Sequence, residues 1–179
     1  MILESIFAGF GGQGVLLLGQ ILAYAGMYEN KNTTWFPAYG AEVRGGTANC
    51  SVVISDEPIG SPVISEPEII VAMNRPSLER FERMLKPGGI LFYNSSLIDI
   101  KPKRTDIKIM AIPASDLAAE LGNPRVANMV VLGAILKSTG VVNIDTVTKV
   151  LQEKVFTGKK QDLVAVNRAA LEKGMALVS

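Results

Sequence analysis

The sequence predicts an α/β fold of three layers, in which helices cover both faces of an open, mostly parallel, Rossmann-like sheet. Short segments with strand character alternate with helical segments along the 179 residues. Two strand segments, 69–73 and 90–93, are apolar at every position, which is typical of strands covered on both faces. The first strand runs directly into a glycine turn and a helix. The length suits a single domain that spans 1–179.

Six strands are predicted from β-branched or continuously apolar runs, most of which are bounded by turn residues. They span 3–8, 33–36, 47–55, 69–73, 89–94 and 108–112. The fourth and fifth strands flank a helix, so 68–94 forms a β-α-β unit whose crossover should be right-handed.

Six helices are predicted from segments in which apolar residues recur at helical spacing or occupy nearly every face of the helix. They span 14–27, 76–85, 114–121, 125–137, a segment that follows residue 143, and 159–173. The helix at 76–85 carries a proline in its first turn, and the one at 125–137 is apolar almost all round and should be buried. Asn143 is the expected N-cap of the fifth helix, and Gly174 is the expected C-cap of the sixth.

Composition excludes several classes of function. The formal net charge of +1 gives no electrostatic reason to expect a nucleic acid or an anionic membrane as partner. The absence of histidine excludes Ser-His-Asp catalysis and histidine-bound metals, and the lone Cys50 excludes an internal disulfide and a cluster held by this chain alone. No basic stretch precedes the first apolar run, so we expect no signal peptide and a cytoplasmic location.

The glycine turn after the first strand is the first candidate site. It comprises Gly9, Gly11, Gly12, Gln13 and Gly14. Its glycines permit close approach of a ligand to the backbone, and the following helix offers unpaired N–H groups to an anion. We expect the Gln13 side chain to reach into the ligand-binding crevice at the carboxyl end of the first strand. A turn that only packs the helix against the strand is the alternative.

A dinucleotide site would also need an acidic residue at the end of the second strand, to hold the ribose hydroxyls. That strand ends in Pro37-Ala38-Tyr39, which contains no carboxylate. Glu29 comes too early in the chain and Glu42 too late. Binding of NAD or FAD is therefore disfavoured.

A second glycine-rich cluster follows the second strand. It contains Tyr39, Glu42, Arg44, Gly45 and Gly46. Arg44 can bind a phosphate or a carboxylate through two parallel hydrogen bonds, or it can pair with Glu42 and fix its own loop. Trp35 and Phe36 precede this cluster, and aromatic residues in a loop beside glycines act as a lid or as an interface anchor.

Three polar residues outside the glycine clusters are further candidates. Asn74 and Arg75 follow the fourth strand, where Arg75 can meet an anion and Asn74 can cap the next helix. Asn128 lies in an otherwise apolar helix, so its amide must bond either to backbone or to a ligand.

Taken in order, these motifs resemble the gamma subunit of 2-oxoacid:ferredoxin oxidoreductases. The resemblance rests on Phe7-x-Gly9-x-Gly11-Gly12-Gln13-Gly14, Tyr39-Gly40-x-Glu42-x-Arg44-Gly45-Gly46 and Gly60-Ser61-Pro62. It continues through Asn74-Arg75-Pro76, Lys86-Pro87-Gly88-Gly89 and Asn128-Met129, and so covers nearly the whole chain. The two glycine motifs together are more specific than either alone.

The resemblance implies a subunit of a thiamine-diphosphate enzyme that decarboxylates a 2-oxoacid, passes electrons through iron–sulfur clusters to ferredoxin and gives the acyl group to coenzyme A. In that family the thiamine and cluster sites lie mainly on companion chains, which here would be alpha, beta and delta-type subunits. The isolated chain is therefore expected to hold no cofactor and to be inactive. The favoured oxoacid is 2-oxoglutarate, followed by pyruvate and branched-chain 2-oxoacids.

The resemblance also implies contacts with a cofactor or a neighbouring subunit for a set of residues without a catalytic or metal-binding role. They are Gly9, Gly11, Gly12, Gln13, Gly14, Tyr39, Glu42, Arg44, Gly45, Gly46, Asn74, Arg75 and Asn128. Whether they touch thiamine diphosphate, coenzyme A or only another subunit stays open. Two alternative functions also stay open: the small subunit of an indolepyruvate oxidoreductase, and a stand-alone nucleotide-binding module.

Overall fold

The computed structural model describes residues 1–38 and 47–179, whose strands form one mixed sheet in the order β2-β3-β1-β4-β5-β6. The strands are β1 (Ile2–Phe10), β2 (Asn32–Ala38), β3 (Thr47–Ser55), β4 (Ile69–Ala72), β5 (Ile90–Asn94) and β6 (Lys108–Ile112). The α-helices are α1 (Val15–Tyr28), α2 (Arg75–Phe81), α3 (Ala114–Glu120), α4 (Ala127–Thr139), α5 (Ile144–Val150) and α6 (Leu163–Ala176). The predicted fold class and each predicted element are confirmed.

Within the described residues the sheet is parallel except at β3. Strands β1, β4, β5 and β6 pair in parallel, whereas β3 runs antiparallel to both β1 and β2. Strand β2 therefore runs in the same direction as β1 and ends at the same edge. Because Thr47 pairs with Phe10, β3 begins at that edge too. We call it the carboxyl edge, and it carries the glycine turn, the end of β2 and the start of β3.

The two faces of the sheet are covered unequally. On one face Phe7 and Phe92 join a core that includes residues of α1, α3, α4, α5 and α6. On the other face Ile6 and Leu91 pack against Phe81 of α2. Among the described helices, five therefore lie on one face and α2 alone lies on the other. The three predicted layers are present, but the outer two differ in size.

Trp35 and Phe36 lie in edge strand β2, as the predicted strand 33–36 requires, and not in a loop beside the glycines, as the lid or anchor interpretation assumed. Neighbouring strand residues point to opposite faces of a sheet. Trp35 packs against the core that contains α1, whereas Phe36 pairs with Ser51 on the α2 side and is 50% exposed. Phe36, and not Trp35, is therefore the exposed aromatic residue of this pair.

Helix α6 begins and ends later than the predicted range of 159–173, and Gly174 lies inside it instead of capping it. The reason is close packing against α4. A Cβ atom at Gly174 would lie 1.8 Å from the Val130 carbonyl oxygen, and one at Gly133 would lie 2.0 Å from the Leu171 carbonyl oxygen. Glycine at these two positions thus lets the backbones of α4 and α6 touch.

Asn143 occupies the predicted N-cap position of α5, but its side chain makes no capping bond to that helix. Instead, Glu29 at the end of α1 accepts hydrogen bonds from the Asn143 backbone N–H at 2.7 Å and from its Nδ2 at 3.2 Å. The two residues join the end of α1 to the start of α5.

Candidate functional site

The candidate site lies at the carboxyl edge, where ligands bind in open α/β sheets. The turn between β1 and α1 lies there, beside the end of β4. Tyr39, Glu42, Arg44, Gly45 and Gly46 lie outside the described residues. The expectations about that second cluster therefore stay predictions.

The Gln13 side chain stabilises the glycine turn through two hydrogen bonds to backbone groups. Its Oε1 accepts a hydrogen bond from the Phe10 N–H at 2.7 Å, and its Nε2 donates to the Met73 carbonyl at 3.1 Å. The side chain therefore joins the end of β1 to the end of β4. A Cβ at Gly9 would lie 2.6 Å from the Gln13 Oε1. The hydrogen-bonded position of the Gln13 side chain therefore requires glycine at position 9. In this structure Gln13 serves the turn, and its contact with a ligand stays a prediction.

A hydrogen bond between Asn128 and Gly14 also stabilises the turn. Gly14 has φ 73°, and a Cβ there would lie 2.4 Å from the Asn128 Nδ2. That Nδ2 donates to the Gly14 carbonyl at 3.1 Å, while the Asn128 Oδ1 accepts from the Met129 N–H at 2.9 Å. Asn128 is 4% exposed, and of the two expected kinds of partner it takes backbone. It joins the start of α4 to the start of α1.

Gly11 and Gly12 form the open side of the turn. No atom lies within 4 Å of a Cβ built at either position, and Gly12 has φ 92°, a conformation that favours glycine. The first helical bond of α1 joins the Leu18 N–H to the Gly14 carbonyl at 2.9 Å. The N–H groups before Leu18 therefore have no helical acceptor. Helix α1 also has no side-chain cap and no acidic residue in its first turn, so this end attracts anions.

Asn74 and Arg75 are engaged with protein groups. The buried Asn74 Oδ1 accepts from the Ser77 N–H at 2.9 Å and caps α2. The Arg75 guanidinium lies 3.0 Å from a Glu79 oxygen and 3.7 Å from an Asp99 oxygen, and it is half exposed. An anionic ligand at Arg75 would have to compete with these carboxylates, so that contact stays a prediction.

A cleft that the sequence analysis missed adjoins the turn. Its volume is about 470 Å³. It is lined by Leu17, Asn123, Arg125, Val126, Asn128, Phe156, Lys160, Leu163 and Asn167. These residues come from the starts of α1, α4 and α6 and from the segments that precede α4 and α6. No spacing in the sequence connects them, because the packing of α4 on α6 brings them together.

Short helical turns position two of the residues that line the cleft, Arg125 and Phe156. The Asn123 Oδ1 accepts from the Arg125 N–H at 3.1 Å and starts the 3₁₀ turn Pro124–Val126. Helix α5 continues into a π-helical turn, Leu151–Val155, which ends with a bond from the Phe156 N–H to the Leu151 carbonyl at 2.7 Å. The half-buried Phe156 ring follows that turn and lines the cleft.

Cys50 is buried between β3 and α1, its Sγ donates to the Val15 carbonyl at 3.5 Å, and burial raises the pKa of its thiol to about 12.

Within 1–38 and 47–179, no three His, Cys, Asp or Glu side chains converge as metal ligands do. None of the helices in these ranges is long and apolar enough to cross a bilayer.

Comparison with known proteins identifies the relatives of the chain. Residues 4–177 match the family described as pyruvate ferredoxin/flavodoxin oxidoreductase. The ketoisovalerate oxidoreductase subunit VorA of Methanothermobacter marburgensis is 40% identical over 168 residues, which make up 93% of this chain and 34% of VorA. The chain thus spans about a third of the length of that relative.

Two solved structures share the fold. The gamma subunit of keto/oxoacid ferredoxin oxidoreductase from Geobacter sulfurreducens is 30% identical with a TM-score of 0.84, and the match covers 98% of this chain and 97% of that one. The 2-oxoglutarate:ferredoxin oxidoreductase from Magnetococcus marinus, solved with 2-oxoglutarate, coenzyme A and succinyl-CoA bound, is 29% identical with a TM-score of 0.89. That match covers 98% of this chain and 31% of the other.

These matches confirm the resemblance to gamma subunits that the paired glycine motifs indicated. The family match extends from the first strand to the end of the last helix. The chain belongs to the pyruvate ferredoxin/flavodoxin oxidoreductase family.

Proposed function

We propose that this chain is the gamma subunit of a 2-oxoacid:ferredoxin oxidoreductase complex, in which it holds coenzyme A. In the proposed reaction a 2-oxoacid loses carbon dioxide, its acyl group replaces the proton of the coenzyme A thiol, which is released, and two electrons pass through iron–sulfur clusters to ferredoxin. We assign the thiamine diphosphate and the clusters to companion alpha, beta and delta-type subunits. The composition supports this division, because a single cysteine and no histidine provide too few ligands for an iron–sulfur cluster.

The observation that carries the coenzyme A assignment is the open glycine turn beside the uncapped start of α1. Coenzyme A contains a pyrophosphate, and the exposed N–H groups of a helix N-terminus bind such anions. Gly11 and Gly12 leave room for a ligand to lie against the backbone. The likeness to the Magnetococcus marinus enzyme, which was solved with coenzyme A bound, supports the same assignment.

The side chains of the chain support a binding role. There is no histidine, and the single thiol is buried with a pKa raised to about 12. Proton transfer near neutral pH needs groups that titrate there. In the proposed complex the thiol of coenzyme A and the thiamine on a companion subunit therefore supply the reacting groups, and this chain supplies the position of the coenzyme.

Gly11→Asp tests this proposal. The substitution puts a carboxylate at the open side of the turn, where a Cβ meets no atom and φ lies outside the left-handed region. The added negative charge should repel the pyrophosphate and weaken coenzyme A binding by about tenfold or more. Calorimetric titration of coenzyme A into the assembled complex measures the effect.

Gly60→Asp is the matched control, because a Cβ at Gly60 also meets no atom and its φ is also outside the left-handed region. It should bind coenzyme A as the unmodified complex does. Equal binding by the Gly11→Asp complex, or no binding by the unmodified complex, would refute the assignment.

The oxoacid stays a prediction. Within the family resemblance we favour 2-oxoglutarate, and the similarity to VorA makes ketoisovalerate the next acid to assay. Ferredoxin reduction by the purified complex with each acid, including indolepyruvate, decides among them. Affinity purification of the chain also separates the proposal from a stand-alone nucleotide-binding module, which would be isolated without companion subunits.

A further inference from the structure

We propose that a basic patch on the α2 side of the sheet, formed by the exposed side chains of Arg83, Lys101 and Lys103, is part of the surface on which ferredoxin docks. This inference rests on the proposed function and extends it to the electron-accepting partner, which would bring an acidic face to this chain. Because the clusters are assigned to companion subunits, the ferredoxin must contact a companion as well. The basic patch therefore supplies one side of a composite docking site.

The local charge balance is the first argument. Residues 75–106 carry seven Lys or Arg side chains and four Asp or Glu side chains, so their formal net charge is +3. The net charge of the whole chain is +1, so the rest of the chain carries −2. Positive charge is thus concentrated in the segment that contains α2, β5 and the loop before β6. Such a local field attracts an acidic partner although the total charge is small.

The pairing of charges is the second argument. Glu79 and Asp99 both pair with Arg75, at 3.0 and 3.7 Å, and Asp106 pairs with Arg104 at 2.5 Å. Among the described residues, none of the three cations of the basic patch has a carboxylate within 4.0 Å. The carboxylates of the segment therefore leave the basic patch available to the carboxylates of a partner.

The anchoring of the loop is the third argument. The loop that carries Lys101 and Lys103 is bonded to the 3₁₀ turn that follows α2. The buried Glu82 carboxylate accepts hydrogen bonds from the Lys103 N–H at 2.5 Å and from the Arg104 N–H at 2.8 Å. The Arg104 guanidinium donates to the Glu82 carbonyl at 3.3 Å and to the Leu85 carbonyl. An anchored loop needs little further ordering when a partner binds.

The composition of the basic patch favours a transient partner over a permanent one. Lysine is depleted in the buried centres of protein interfaces, whereas exposed charges steer partners that associate briefly, as electron carriers do. The exposed Phe36 lies on the same side of the sheet but in β2, and the basic patch lies beside the loop between β5 and β6, toward the other end of the strand order. A companion subunit that covers Phe36 would leave room for ferredoxin at the basic patch.

Steady-state kinetics of the assembled complex test the inference. Reduction that depends on the 2-oxoacid is measured with ferredoxin from the same organism and, separately, with methyl viologen, a small dicationic dye. We expect kcat/KM for ferredoxin to fall by about tenfold as the salt concentration rises from about 0.05 M to about 0.5 M, because salt screens the attraction between opposite charges. Reduction of the dye should show no such fall.

Charge reversal locates the effect. The double variant Lys101→Glu with Lys103→Glu, and the single variant Arg83→Glu, should raise KM for ferredoxin, the double variant by about tenfold, and should leave reduction of methyl viologen unchanged. The double variant Lys101→Gln with Lys103→Gln should raise KM less, because it removes the charges without reversing them. Lys137→Glu is the matched control, since it reverses an exposed charge at the end of α4, which packs on the opposite side of the sheet.

The outcomes separate the two proposals. Charge-reversal variants that reduce ferredoxin as the unmodified complex does would refute the docking surface while the proposed function stands. Variants that lose their companion subunits would assign the basic patch to a permanent contact, and this result would refute the docking surface too. A complex that reduces neither ferredoxin nor methyl viologen with any 2-oxoacid would refute the proposed function and this inference with it.

Discussion

At the scale of single residues, the carboxyl edge is held by side chains that bond to backbone. Gln13 joins the ends of β1 and β4, and Asn128 joins the starts of α1 and α4. Sequence reasoning finds such amides, because a buried polar group among glycines or apolar residues needs a partner. It does not find the partners, since the Met73 and Gly14 carbonyls that accept their hydrogen bonds lie 60 and 114 residues away along the chain.

Glu29 should make the stability of the fold depend on pH. Burial raises the pKa of its carboxyl, but hydrogen bonds from Asn143 and Thr146 and the charge of Lys31 outweigh burial and lower that pKa. A carboxyl with a lowered pKa stabilises the fold above its unfolded pKa, and this contribution is lost as pH falls through the folded pKa. We expect Glu29→Gln to unfold at a lower urea concentration than the unmodified chain at about pH 7, and the gap to be smaller at about pH 3.

Glu66→Gln is the control for that measurement, because it removes an exposed carboxyl for which no bond is seen among the described residues. It should unfold with the unmodified chain at both pH values. A Glu29→Gln gap that stays constant over the whole range would contradict the role given to the carboxylate.

At the scale of elements, the contact between α4 and α6 depends on its two glycines. Gly174→Ala should lower the free energy of unfolding by about 1–3 kcal/mol, because the new methyl group would lie 1.8 Å from the Val130 carbonyl oxygen and must push the helices apart. Alanine favours a helix over glycine by about 1 kcal/mol, so the measured loss already includes that gain. Urea denaturation of the full chain measures it.

Gly60→Ala serves as the control for the helix contact, since its methyl group would meet no atom. It should change the free energy of unfolding by less than about 0.5 kcal/mol. If Gly174→Ala were as stable as Gly60→Ala, the two helix backbones would not be in the contact described.

The elements themselves were largely predictable. Runs such as 69–73 and 90–93 can only be strands covered on both faces or buried helices, and their short length decides for strands. The prediction that Gly174 caps the sixth helix is wrong, because a glycine near the end of a helical run looks the same whether it caps the helix or packs against a neighbour. Only the position of α4 distinguishes the two. The antiparallel direction of β3 was likewise invisible, because periodicity carries no strand direction.

At the scale of the whole molecule, the uneven layers leave apolar side chains exposed on one side of the sheet. Phe36 is 50% exposed and Phe10 is 44% exposed. Both lie on the α2 side, because Phe36 shares a register row with Ser51 and Ile6, and Phe10 follows Ile6 by four residues. Exposed apolar side chains on one side of a sheet promote association.

The isolated chain should therefore self-associate when its companion subunits are absent. Phe36→Ser should raise the protein concentration at which sedimentation shows association, because it removes an exposed ring from this side of the sheet. Met27→Ser is the control, since Met27 is 56% exposed but belongs to α1 on the opposite side. A chain that stays monomeric at high concentration, or that responds equally to both substitutions, would rule out this account.

The cleft shows where prediction from the sequence ends. Arg125 and Lys160 belong to short 3₁₀ turns and Phe156 follows a π-helical turn, none of which has a recognisable motif. Each of the three resembles an ordinary surface residue in the sequence. They line one cleft because α4 and α6 touch along their glycines. Residues that only helix packing brings together have no characteristic spacing along the chain, so the sequence does not predict the cleft.

The hydrogen bond between Asn128 and Gly14 has a consequence for ligand binding energetics. It holds the Gly14 carbonyl, which accepts the first helical hydrogen bond of α1, against the start of α4. The turn proposed for the pyrophosphate is therefore fixed before the coenzyme arrives, so little of the binding free energy has to be spent on ordering it. Loss of this hydrogen bond should weaken coenzyme binding although Asn128 itself donates to backbone.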